Sequence, residues 1–111
     1  MTDVNSNILN HWVNSYEEDA DGVEVYRSAD FHFPPSRFRR GFDLRADGEL
    51  QYEDVGSTDK PLVLHGRWSS VGPQRIRLEF DDASRRPEVI EIISIDDGVL
   101  RVKRSQAQTL D

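Results

Sequence analysis

Arg37, Arg39 and Arg40 lie within four positions of one another, inside the run Phe33-Pro34-Pro35-Ser36-Arg37-Phe38-Arg39-Arg40-Gly41-Phe42. A guanidinium is planar, stays charged and offers its N–H groups as a fork, so this segment carries the chemistry of phosphate or carboxylate recognition. Arg40 stands out, because strict strand alternation groups it with Phe38, Phe42 and Leu44 on an apolar face. An inward arginine must find a partner, extend its head to a barrel mouth, or be turned out by a bulge. A second polar loop, Gly56-Ser57-Thr58-Asp59-Lys60-Pro61, adds Asp59 and Lys60 as candidate protein contacts. Asp59 is equally suited to ordering its own loop by accepting backbone N–H groups.

Other chemistry finds little support. His11, His32 and His65 have no recognised metal-ligand spacing, and there is no cysteine to supply a thiolate. The run Glu17-Glu18-Asp19-Ala20-Asp21 lacks the ligand array and glycine of an EF-hand, and it reads as a solvated turn closing a strand. Ser36, Ser57, Thr58 and Asp59 occur without a nucleophile elbow or triad-like spacing. No catalytic residue, metal or cofactor is assigned.

Charge narrows the partner classes. The 111-residue chain carries a net charge of −7, which opposes the phosphate backbone of nucleic acid. Residues 1–24 hold six acidic residues and no Lys or Arg, whereas residues 25–45 hold five arginines against Asp30 and Asp43. The arginines therefore have nearby carboxylates to pair with as well as a partner to contact. No basic region followed by an apolar one opens the sequence, and no apolar stretch approaches a membrane span. With cysteine absent, a cytoplasmic protein without membrane or nucleic-acid partners is expected.

The elements that must position these residues are short and closely spaced. Strands are expected over Trp12–Tyr16, Val23–Ser28, Phe38–Leu44, Leu50–Val55, Leu62–Ser69, Arg75–Phe80, Val89–Asp96 and Val99–Lys103. Ala20-Asp21-Gly22, Arg45 through Glu49, and Asp96-Asp97-Gly98 each place Gly where a hairpin uses a positive φ. Asp81 through Pro87 makes a longer polar connection. No intervening segment suits a crossover helix, so the fold class is all-β: a small antiparallel meander barrel of about eight strands. The expected boundaries are a lead-in over 1–11, one barrel domain over 12–104 and an exposed tail over 105–111. A short turn or helix is expected before Trp12. Ile76, Leu78 and Phe80 should point inward between charged neighbours, and Leu62, Leu64, Gly66 and Trp68 should share one face. Trp12, Phe42, Trp68, Leu78 and Phe80 are the expected core, with Leu100 and Val102 inside and Arg101 and Lys103 outside.

A tryptophan opening the first strand in Asn10-His11-Trp12, eight successive strands and a late basic residue, Arg101 or Arg104, give a pattern that resembles the lipocalin-like or calycin-like barrels. The Phe33–Phe42 and Gly56–Pro61 segments resemble those of small bacterial lipocalin-like proteins. The resemblance implies the fold and no reaction. Asn10 stands where the family's usual Gly-x-Trp has glycine, and the chain is short for a deep ligand cup.

The leading expectation is a noncatalytic binding module that recognises a protein or peptide through the 32–40 and 56–61 loops, with Arg37, Arg39, Arg40, Asp59 and Lys60 as the contact set. An inhibitory role is one version of it, motivated by the resemblance to small inhibitory barrels. Carriage of a small apolar ligand is the alternative, favoured by an open interior, and a small barrel enzyme is the third reading.

Overall fold

A computed structural model describes residues 6–36, 38–55 and 61–106. Eight strands form: β1 His11–Asn14, β2 Glu24–Ser28, β3 Gly41–Leu44, β4 Glu49–Val55, β5 Pro61–Gly72, β6 Arg75–Phe80, β7 Glu88–Asp96 and β8 Val99–Gln106. The helical content of the described residues is two short 3-10 turns, Ser6–Ile8 and Tyr16–Glu18. All pairings are antiparallel and the sheet closes into a barrel.

The expected strands recur with shifted ends, and β6 keeps its expected bounds. Both residues of the Asp21-Gly22 and Asp97-Gly98 turns have positive φ, the geometry that matches the twist of a tight hairpin. From β3 to β8 the chain is a simple meander. The first turn of the barrel departs from it, because β1 sits between β2 and β3 and pairs with both. Two strands antiparallel to the same neighbour run in the same direction. The connection 29–40 must therefore travel back along the barrel before β3 begins, and it forms a strap: Ala29 N donates to His11 O at one end of β1, and Asn14 N donates to Arg40 O at the other.

Alternation places the core. Trp12, Tyr26, Phe42, Leu44, Leu50, Tyr52, Ile76, Leu78, Ile90, Leu100 and Val102 are all at most 3 % exposed and fill the interior as one cluster. Tyr26 on β2 and Phe42 on β3 meet with ring centroids 4.8 Å apart, inside β1. Of the expected core residues, Trp12, Phe42 and Leu78 are buried, while Trp68 and Phe80 are half-buried and pack against the cluster. Trp68 lies level with the hairpin that joins β3 to β4, and its indole N–H donates to Arg45 O at 2.8 Å, so the ring covers one barrel end. Gly66 allows the tight approach of β5 to β6, since a Cβ there would lie 1.9 Å from the backbone oxygen of Glu79.

Burial separates the two aromatic positions energetically. Phe42→Ala should lower unfolding free energy by about 3–5 kcal/mol in urea titrations. Trp68→Ala should cost less than Phe42→Ala because Trp68 is only partly buried, whereas Phe42 is fully enclosed. Equal or reversed costs would contradict this division of the core.

Candidate functional site

Inward positions in β2, β4, β7 and β8 change from apolar to polar toward one barrel end. Following the same alternation, Tyr26 leads to Glu24, Tyr52 to Asp54, Ile90 to Glu88, and Val102 to Arg104. Arg104 is the centre. Its Nε donates to Glu24 Oε1 at 2.8 Å, Nη1 to Tyr52 Oη at 2.7 Å and to Glu88 Oε1 at 2.5 Å, and Nη2 to Tyr26 Oη at 2.6 Å. Tyr26 Oη in turn donates to Glu24 Oε1 at 2.8 Å.

Around the ring of eight strands, β8 and β4 stand four places apart. The Arg104 to Tyr52 bond therefore crosses the full width of the barrel, and the guanidinium closes its end. Burial opposes a charge on Arg104, but the facing phenols and Glu24 outweigh it and the guanidinium pKa rises. Burial likewise pushes the Tyr26 and Tyr52 phenols above the ordinary tyrosine range, so they serve as neutral hydrogen-bonding groups.

A second layer lies above this one. Asp54 receives Arg40 Nε on Oδ1 at 2.9 Å and Arg85 Nη2 on Oδ2 at 2.7 Å, linking the end of the strap to the connection between β6 and β7. Arg85 lies over the Tyr52 and Phe80 rings. The 81–87 connection is shaped locally: Ser84 N and Oγ both donate to Asp82 Oδ1, and Arg85 N donates to Asp82 O.

The strap is fastened by the charge asymmetry seen in the sequence. Arg39 forms a bidentate pair with Glu17, donates to Asn14 O and Pro34 O, and lies over the Tyr16 and Phe33 rings. Its side chain is only 9 % exposed. Arg27 pairs bidentately with Glu18 and covers Phe31.

These positions bear on the expected contact set. Arg40 does not face the apolar interior, because β3 starts at Gly41 and alternation cannot be extended back through 38–40; its side chain is 56 % exposed at the rim and paired with Asp54. Arg39 is held in the strap. Arg37, Asp59 and Lys60 lie outside the described residues. Glu24, Tyr26, Tyr52, Glu88 and Arg104 were absent from the sequence-derived set, although their alternation with apolar neighbours marks them as inward. Of the two late basic residues that fit the lipocalin-like pattern, Arg101 points out and Arg104 points in. His11 Nε2 is 2.9 Å from Glu53 Oε1, and no cluster among the described residues suits a metal ion.

No protein-family model, curated protein or solved structure matches the chain.

Removal of Arg104 leaves Glu24 and Glu88 facing each other across a half-sealed end. Arg104→Met should destabilise the barrel by about 2–4 kcal/mol in chemical denaturation, below the range for fully enclosed pairs because the side chain is 23 % exposed. Tyr52→Phe, which removes one hydroxyl, should cost about 1 kcal/mol. An Arg104→Met protein as stable as wild type would remove this cluster from the structural account.

The pair of Arg27 on β2 with Glu18 gives a pH test. Hydrogen bonds from Arg27 and then Ser15 hold the Glu18 carboxyl down at about 2, against an ordinary 4.5. A depressed folded-state pKa means that the stabilisation is complete above 4.5 and disappears as pH falls toward 2. Glu18 is 37 % exposed, so screening limits the effect to less than about 1 kcal/mol. Melting curves between these limits should show a smaller pH dependence for Glu18→Gln than for wild type; an unchanged slope would exclude the pair as a contributor.

Proposed function

We propose that this protein is a noncatalytic binding module that recognises a protein or peptide at the barrel end carrying Arg40, Asp54 and Arg85. The observation that carries the reading is the position of Arg40: a half-exposed guanidinium at the rim, held by a carboxylate one residue before β4 ends. The strap leads to this point, and the segment with Asp59 and Lys60 follows β4 directly in sequence.

The filling of the barrel supports surface recognition over deep carriage. Trp12, Tyr26 and Phe42 occupy the interior, and Arg104 reaches from one wall to the opposite one at the end. A small apolar ligand would have to displace packed aromatic rings, whereas a partner meeting the rim needs only to exchange exposed ion pairs. The resemblance of the sequence to small inhibitory barrels makes inhibition one form of such binding, and the absence of cysteine agrees with a cytoplasmic setting. An exposed arginine beside a carboxylate fits a partner surface that mixes acidic and basic groups.

An unbiased pull-down with wild type, Arg37→Ala and Arg40→Ala tests the reading, with circular dichroism establishing that each variant is folded. A specific partner should be captured by wild type and weakened by about 1–3 kcal/mol in the variant that loses a central contact. Unchanged affinity of that partner for both folded variants would reject the basic segment as the binding site.

A further inference from the structure

Arg85 occupies a place built for a cation. Its guanidinium lies 5.6 Å from the Tyr52 ring centroid and 5.3 Å from that of Phe80, with the two rings set edge to face at 5.2 Å. Asp54 closes the arrangement by accepting from Nη2 at 2.7 Å. Two aromatic surfaces and a carboxylate select a guanidinium or alkylammonium group and disfavour an anion. The occupant comes from outside the barrel wall, on a connection whose turn is made by Asp82 and Ser84 independently of the site. Its side chain is 28 % exposed, so solvent reaches the place where an exchange would happen.

The charges facing this place set its preference. With Arg85 swung away, Asp54, Glu24 and Glu88 remain against Arg40 and Arg104, so these five described side chains sum to one net negative charge. The two arginines that stay are each already bound to a carboxylate. An incoming anion would have to break those pairs, whereas an incoming guanidinium would restore the balance that Arg85 now supplies.

We propose that this rim is a binding site for the guanidinium of a partner's arginine, with Arg85 as the intramolecular occupant that the partner displaces. The location rests on the reading that a protein or peptide docks at this end. A tethered occupant competes at an effective concentration on the order of millimolar, so a single free arginine side chain binds poorly until the tethered one is removed. A partner gains the advantage by making further contacts along the rim.

The probe is N-acetylarginine amide, titrated into wild type and Arg85→Ala while the ring protons of Tyr52 and Phe80 are followed by NMR. Arg85→Ala should bind it roughly tenfold more tightly than wild type. Adding Asp54→Asn should abolish the gain, and sodium acetate at the same concentrations should leave the ring signals in place. Equal binding to wild type and Arg85→Ala would overturn the proposal, as would equal ring shifts with acetate. Should Arg85→Ala fail to fold, Arg85→Gln makes the same comparison with the stem retained. The two readings fail separately. Partner loss in Arg40→Ala without an N-acetylarginine amide gain in Arg85→Ala would remove only the cation site, and the gain without partner loss in Arg37→Ala or Arg40→Ala would remove only the basic contact segment.

Discussion

A guanidinium pointing into a barrel must be met by charge and hydrogen bonds from several walls at once, and Arg104 imposes that demand on three other strands. It draws Glu24 from β2, Glu88 from β7 and Tyr52 from β4, while Tyr26 bonds both to Arg104 and to Glu24. Pairing of this kind contributes little net stability once desolvation is counted, but it penalises every arrangement in which the members do not meet. A one-residue slip of β8 against β2 or β7 would turn Arg104 to solvent and leave the carboxylates inside unpaired. The apolar layers below it tolerate exchange of one branched side chain for another more readily than this layer tolerates the loss of one member. The cluster thus specifies register, and by crossing the barrel it also settles that this end is closed by side chains.

The strap answers a different constraint. A four-residue β1 lodged between β2 and β3 forces those two strands to run the same way, and a parallel pair cannot be joined by a tight hairpin. Residues 29–40 make the return. Pro34 and Pro35 keep part of it extended, and Arg39 anchors it by gripping Glu17 and the carbonyls of Asn14 and Pro34. The arginine excess of one segment and the acidic excess of the preceding one are therefore two halves of one fastening. Arg27 with Glu18 makes a second bidentate pair, between β2 and the Tyr16–Glu18 turn, and meets the strap through the Phe31 ring.

Local alternation made most of the barrel legible. Arg75-Ile76-Arg77-Leu78-Glu79-Phe80 reads as a strand with a single buried face, and the Asp-Gly turns mark where neighbours reverse. The insertion of β1 was not legible, because the edge of β2 that a short strand joins depends on tertiary packing and leaves no local pattern. Arg40 shows the converse, because alternation holds only within a strand and β3 begins at Gly41. Trp68 has the inward phase but stands near a barrel end, and phase alone carries no depth. The polar layer is legible in the same way: Glu24-x-Tyr26, Glu88-x-Ile90 and Val102-x-Arg104 each keep strict alternation into a charged position. Read together, they place two carboxylates beside a guanidinium at one level. Which wall supplies which partner requires strand order, and strand order was the missing quantity.

Asp54 joins the rigid part of the molecule to the exposed part. Its backbone belongs to β4, paired through Leu62 of β5, while its carboxylate holds two guanidiniums from two separate connections. Each of those pairs is a partly exposed contact of one guanidinium with one carboxylate and so individually weak, whereas Arg104 beneath is bonded to four side chains at once. Free energy for local opening is therefore lowest at the rim, and movement there leaves the apolar barrel intact. Because one carboxylate serves both arginines, release of Arg85 leaves Asp54 with more of its charge directed at Arg40, and the strap and the 81–87 connection respond to each other through a single residue. A binding surface of this construction can rearrange its charged groups around a partner while the barrel that presents them keeps its shape.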